Sequence, residues 1–133
     1  MSIVQAMALQ AATSLGLGVF MTFGFRASDN TSSDAYAKAH RANLNNAEWA
    51  PVILALQLGI LHVSKDAPRA LSVNAALAAS AASVVFCIGV ITASHEGDNP
   101  QTTKGDALPP VRALGALVRY LSIGVMIYEL LQY

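Results

Sequence analysis

The sequence predicts an all-α integral membrane protein, a four-transmembrane-helix up-and-down bundle, from the scarcity and the placement of its charges. Only 12% of the residues are charged and 54% are hydrophobic, whereas charged residues make up about a quarter of an ordinary soluble domain. Two stretches, Met1 to Phe25 and Ala70 to Ser94, run for 25 residues each without Asp, Glu, Lys or Arg. About 20 apolar residues in a helix cross a hydrocarbon core of roughly 30 Å, so either stretch spans it with some tilt. The eight basic and eight acidic residues cancel, which leaves no charge excess to draw nucleic acid; the charge-free apolar stretches make membrane lipid the expected surroundings.

The chain is expected to form one membrane domain over residues 1–133, with helices at about 2–25, 35–64, 69–94 and 110–131. The first carries no basic n-region, and its apolar character continues through Leu15, Leu17, Val19, Phe20, Met21 and Phe23. That is longer than the h-region of a signal peptide, so a retained span is expected. Arg26 opens a run of turn and cap residues through Asp34. The second helix has a polar first half, with Lys38, His40, Arg41, Asn43, Asn45, Asn46 and Glu48, and an apolar second half from Trp49 to Val63. Ser64 to Pro68 reads as the turn that ends it.

The third helix is rich in Ala and Ser from Ala75 to Ser83, and in lipid such small residues let helix backbones approach closely. His95 to Pro110 is a second polar loop, and the last helix starts at Pro109-Pro110, where proline in the first turn does no harm. Arg26, Lys38, Arg41, Lys104 and Arg112 fall on one side of this topology, against Lys65 and Arg69 on the other. The first and third loops are therefore expected in the cytoplasm. Endoplasmic-reticulum, other organelle and bacterial inner membranes are all compatible.

Ionisable residues at membrane depth are costly and mark function, which directs attention to the start of the second helix. Arg41, Asn45 and Glu48 stand at i, i+4 and i+7 on one helical face, while Asn43 points about 200° around from Arg41. Two readings remain open on spacing: a ligand site completed by another helix or subunit, and a buried interhelical network in which Arg41 and Glu48 pair and the asparagines join helices. The three histidines are on separate segments and Cys87 is the one cysteine, so no metal-ligand spacing is present and Cys87 reads as a small packed hydrophobe.

The run Arg41-Ala42-Asn43-Leu44-Asn45-Asn46-Ala47-Glu48-Trp49-Ala50-Pro51 resembles the second-helix motif of the MAPEG family, the membrane-associated proteins in eicosanoid and glutathione metabolism. Arg26 at the end of the first helix and Pro110-Val111-Arg112 at the start of the last extend the likeness. The resemblance implies a homotrimer that acts as a glutathione transferase or peroxidase on a lipophilic electrophile or hydroperoxide. It places glutathione, as co-substrate, at a subunit interface against Arg26, Arg41, Asn43, Asn45 and Glu48. Arg112 is then the cation that stabilises the glutathione thiolate, its charge aided by the dipole of the helix it opens. Arg112 also reads as a topology-setting charge. Relatives usually carry an Arg and one or two Tyr at the end of the third helix and in the loop after it, and His95 to Pro110 holds neither. A non-catalytic MAPEG-like chain, binding lipid or packing as a structural subunit, is the alternative.

Overall fold

A computed structural model describes residues 2–26, 34–65, 67–92 and 110–133. The loop residues His95 and Lys104 and the side chain of Arg26 lie outside the described residues. The order of elements is α1 (Ile3–Val19), a π-helical continuation (Phe20–Arg26), α2 (Asp34–Val63), α3 (Ala70–Ile91) and α4 (Pro110–Leu130). No strand occurs among the described residues.

Local chemistry sets several of these ends. Ser2 and Gln5 form a capping box at α1: Gln5 N donates to Ser2 Oγ at 3.3 Å and Ser2 N donates to Gln5 Oε1 at 2.7 Å. α2 closes as Ser64 N donates to the Ile60 carbonyl and Lys65 turns to a left-handed φ of 49°. Arg69 is extended before α3, as a residue following Pro68 and leaving a turn allows. Pro110 opens α4 at a position whose N–H has no helical partner to lose.

Contacts between elements make successive helices antiparallel. Leu17 near the end of α1 packs with Ala42 near the start of α2, and Gln57 of α2 donates to Ser80 of α3 while Cys87 lies farther up against Ala42. Ser72 and Glu129 meet at one end of the α3–α4 pair, and Gly89 meets Arg112 at the other. α3 and α4 approach most closely. A Cβ on Gly115 would fall 2.7 Å from the Phe86 nitrogen, and one on Gly89 would fall 2.8 Å from the Arg112 nitrogen. Glycine at these two crossings lets the backbones touch.

Side-chain placement departs from that of a soluble bundle: the core holds apolar residues such as Ile3, Ile53, Ile60 and Met126, but many polar side chains share it and the outside is largely apolar. Leu15, Phe23, Leu114, Leu117, Leu121 and Ile88 are exposed, whereas Gln10, Asn46, Gln57, Ser72, Ser80, Ser83, Arg119 and Glu129 are buried. An apolar exterior around a polar seam is what lipid surroundings select. Three helical segments, Ile3–Gly24, Ala70–Ile91 and Pro110–Leu130, are long and apolar enough to cross a membrane, which makes this a multi-pass membrane protein by length and composition. α2, with its polar first half, packs along all three.

Gly115→Ala should therefore destabilise the bundle by about 1–3 kcal/mol, because backbone and not a flexible side-chain end must give way. Gly124→Ala, which meets nothing within 4 Å, should stay within about 0.5 kcal/mol of the parent. Thermal unfolding of both variants in the same detergent checks the contrast.

Candidate functional site

The deepest charge among the described residues is Arg119, which is 1% exposed. It lies nine residues into α4, about 13 Å along the helix axis from Pro110. A guanidinium at the centre of a spanning helix costs about 2.5–3.5 kcal/mol even on the scales that rate it lowest, so its surroundings must compensate. One hydrogen bond does part of this: Arg119 Nη1 donates to Asn45 Oδ1 of α2 at 2.8 Å. Three rings do more. The Arg119 Cζ lies 4.7 Å from the Phe86 ring centre, 5.2 Å from Trp49 and 5.6 Å from Tyr120, and a cation over aromatic faces is stabilised most where water is excluded. Trp49 and Tyr120 also meet edge to face at 5.1 Å. Nε and Nη2 are buried and meet no acceptor at full hydrogen-bond geometry, while the Tyr120 hydroxyl lies close enough to act on Arg119 as a side-chain hydrogen-bond partner.

The polar residues of the α2 motif divide around this centre. Asn45 turns inward to Arg119. Arg41 and Glu48 are exposed and Asn43 is half-buried. Among the described residues Arg41 and Glu48 form no hydrogen bond or ion pair, with each other or with a neighbour, although Glu48 lies near enough to act electrostatically on Arg119. The expected one-face arrangement of Arg41, Asn45 and Glu48 is thus a face whose middle residue is used internally. Three residues beyond Glu48, Pro51 supplies no N–H to the Ala47 carbonyl, which loses its helical donor on an exposed stretch of α2. Cation, carboxylate and carbonyl therefore line one open strip.

Arg112 is half-buried in the first turn of α4, with its Cζ 5.6 Å from the Phe86 ring centre. Arg112 and Arg119 therefore share one ring, and Phe86 links the charge at the helix start to the one at its middle. The strip itself is anchored from beneath. Asn46 Nδ2 donates to Ser14 Oγ at 2.8 Å and its Oδ1 accepts from Gln10 Nε2 at 3.0 Å, tying α2 to α1. Gln57 Nε2 donates to the Ala76 carbonyl and to Ser80 Oγ, tying α2 to α3. At the far end Ser72 Oγ donates to Glu129 Oε2 at 2.8 Å.

Arg119 was not singled out by the motif reading. Its signal is present in the sequence all the same: a lone charge between Leu117-Val118 and Leu121 in a stretch otherwise apolar. Weighing depth along the helix alongside motif membership would have selected it. No protein-family model matches the chain, and neither does any curated protein or solved structure.

A double-mutant cycle on Asn45→Ala and Arg119→Met should return a coupling of about 1.5–3 kcal/mol, the range of a buried hydrogen bond to a charged group. Equilibrium unfolding in mixed micelles measures it, and a coupling near zero would remove Asn45 as the partner that matters.

Proposed function

We propose that the chain is a glutathione-dependent membrane enzyme of the MAPEG type, a transferase or peroxidase acting on a lipophilic electrophile or hydroperoxide as a homotrimer. The observation that carries this reading is the open strip on α2. Arg41 and Glu48 are exposed and form no hydrogen bond or ion pair among the described residues, so their bonding capacity is left open to a ligand. The uncovered face continues down α2 through Leu44, Val52, Ala55 and Leu58, apolar where a second copy would cover it. Glutathione presents groups of matching chemistry. Arg41 is suited to fork onto a glutathione carboxylate, with Arg26 a second cation for the same purpose, and Glu48 to meet its ammonium group. Asn43 and the Nδ2 donor of Asn45 are suited to its amides.

Arg112 is assigned to the thiol, because a nearby cation favours the thiolate over the neutral form. The thiolate sulfur then attacks an electrophilic carbon, forming a carbon–sulfur bond while the leaving group departs with the pair of electrons from the bond that breaks. With a hydroperoxide, sulfur takes the terminal oxygen and the alkoxide leaves, to be protonated to the alcohol. A second glutathione thiol displaces water from that sulfur and completes the disulfide. The second substrate arrives through lipid, and a wholly apolar cleft of about 180 Å³ between α3 and α4, lined by Ala78, Ala81, Val85, Leu114 and Val118, gives it a surface to follow.

Calorimetric titration of the detergent-purified protein with glutathione should show saturable binding, weakened at least about tenfold, or 1.4 kcal/mol, by Arg41→Ala and by Glu48→Ala. A well-folded wild-type protein that binds no glutathione contradicts this reading and supports a lipid-binding or structural subunit instead.

A further inference from the structure

We propose that Arg69 and Lys65, at the end of the bundle where α2 turns into α3, bind the phosphate of an anionic phospholipid. None of the residues assigned to glutathione takes part. The site lies at the opposite end of the helices from them, where α2 ends at Val63, α3 begins at Ala70 and α4 ends at Leu130.

The starting observation is how Arg69 is held. Its backbone N–H donates to the Tyr133 hydroxyl at 3.3 Å, and its Cζ lies 4.8 Å from the centre of the Tyr133 ring. One tyrosine therefore fixes both the backbone and the side chain. Stacking on a ring face leaves the edges of the guanidinium plane open, and those edges carry its N–H donors. Arg69 is exposed, as are Lys65 and His62 across the turn. The turn itself is closed by Ala67 N donating to the Ser64 carbonyl at 3.0 Å, with Lys65 at a left-handed φ of 49°. Neither Arg69 nor Lys65 forms an ion pair among the described residues. Glu129, the described acid at this end, is buried and accepts from Ser72 Oγ at 2.8 Å. Asp66 lies outside the described residues.

The level in the membrane says which anion fits. Tyr128 and Tyr133 are exposed at this end, and tyrosines gather at the headgroup level of a bilayer. Leu71 at the start of α3 and Leu131 just past α4 are 51% and 78% exposed. They are apolar surface beside the cation, which acyl chains cover and water does not. A phosphate that arrives here with its acyl chains attached satisfies both. The guanidinium fork matches two phosphate oxygens, and the Lys65 ammonium adds a point charge. Two cations also select for net negative charge in the headgroup: phosphatidylcholine brings a cation of its own, and phosphatidylglycerol does not. Such a lipid clamps the start of α3 to the end of α4, beside the Ser72–Glu129 bond. It thereby supports the helix pair whose crossing sets Phe86 against Arg112 and Arg119.

Native mass spectrometry of the protein purified in a neutral detergent tests this, with phosphatidylglycerol and phosphatidylcholine of identical acyl chains supplied at equal concentration. Phosphatidylglycerol should be retained about tenfold better, and Arg69→Gln should remove most of that preference. Tyr133→Leu, which leaves every side-chain charge in place but releases the guanidinium, should lower it about threefold. Lys38→Gln, a charge lost near the other end of α2, should leave it unchanged. Circular dichroism and size-exclusion chromatography check the fold of each variant. Equal retention of the two lipids by the wild-type protein overturns the proposal, and that comparison depends on no variant. Equal losses in Lys38→Gln and Arg69→Gln also overturn it, since attraction to net charge alone would explain them. Displacement of the lipid by inorganic phosphate would make the ligand a soluble anion instead. A preference that emerges only in Asp66→Asn would show that Asp66 is the acid Arg69 serves, and would likewise overturn it. Glutathione titration of Arg69→Gln should match the wild type, so either reading can fail while the other stands.

Discussion

A guanidinium enclosed in an apolar bundle needs compensation from its surroundings, and the helices around Arg119 supply it from several directions. α2 brings Asn45 to Nη1 and Trp49 to one face. α3 brings Phe86, and α4 adds the neighbouring Tyr120. Removing any one of these would expose part of the charge to hydrocarbon, so the three helices are held in register by a single side chain. The register then fixes what faces outward: with Asn45 turned in, Arg41 and Glu48 fall on the open side of α2.

Close approach of α3 and α4 is the condition for this enclosure. Phe86 reaches under both Arg112 and Arg119 because Gly115 lets the α4 backbone lie against the backbone of Phe86 itself. A larger residue there would push α4 away and separate the ring from both cations. The same geometry explains why the seam can be polar. Gln57, Ser72 and Ser80 exchange hydrogen bonds across interfaces of small residues, where the alternative partner would be lipid and not water. Structure and site thus rest on one packing arrangement, with most buried polar side chains bonded across the helix interfaces and apolar side chains outside.

Much of this was legible in the sequence because the membrane leaves few choices. Charge-free runs at Met1–Phe25 and Ala70–Ser94 can hardly be anything but helices of spanning length, and Pro68 and Pro110 punctuate the chain where helices begin again. Periodicity also grouped Arg41, Asn45 and Glu48 on one side of α2. It could not say what that side meets. A shift of one residue separates Asn45, which serves Arg119, from Asn46, which serves Gln10 and Ser14, and no local pattern tells the two asparagines apart. The partner of Asn45 lies 74 positions away, so the pair exists only after the fold has formed. The π-helical turn over Phe20–Arg26 was likewise hidden, since its composition is that of an ordinary apolar helix.

The claim on which the rest depends is that Arg119 is anchored to Asn45 inside the bundle, and a solid-state NMR distance between the ¹⁵N-labelled Arg119 guanidinium and the ¹³C-labelled Asn45 side-chain amide, in lipid bilayers, tests it most directly. A separation of about 4 Å between Nη1 and Cγ is predicted from an ordinary hydrogen bond. A separation beyond about 6 Å, with the protein otherwise folded, would contradict the anchoring and with it the placement of α2 against α4.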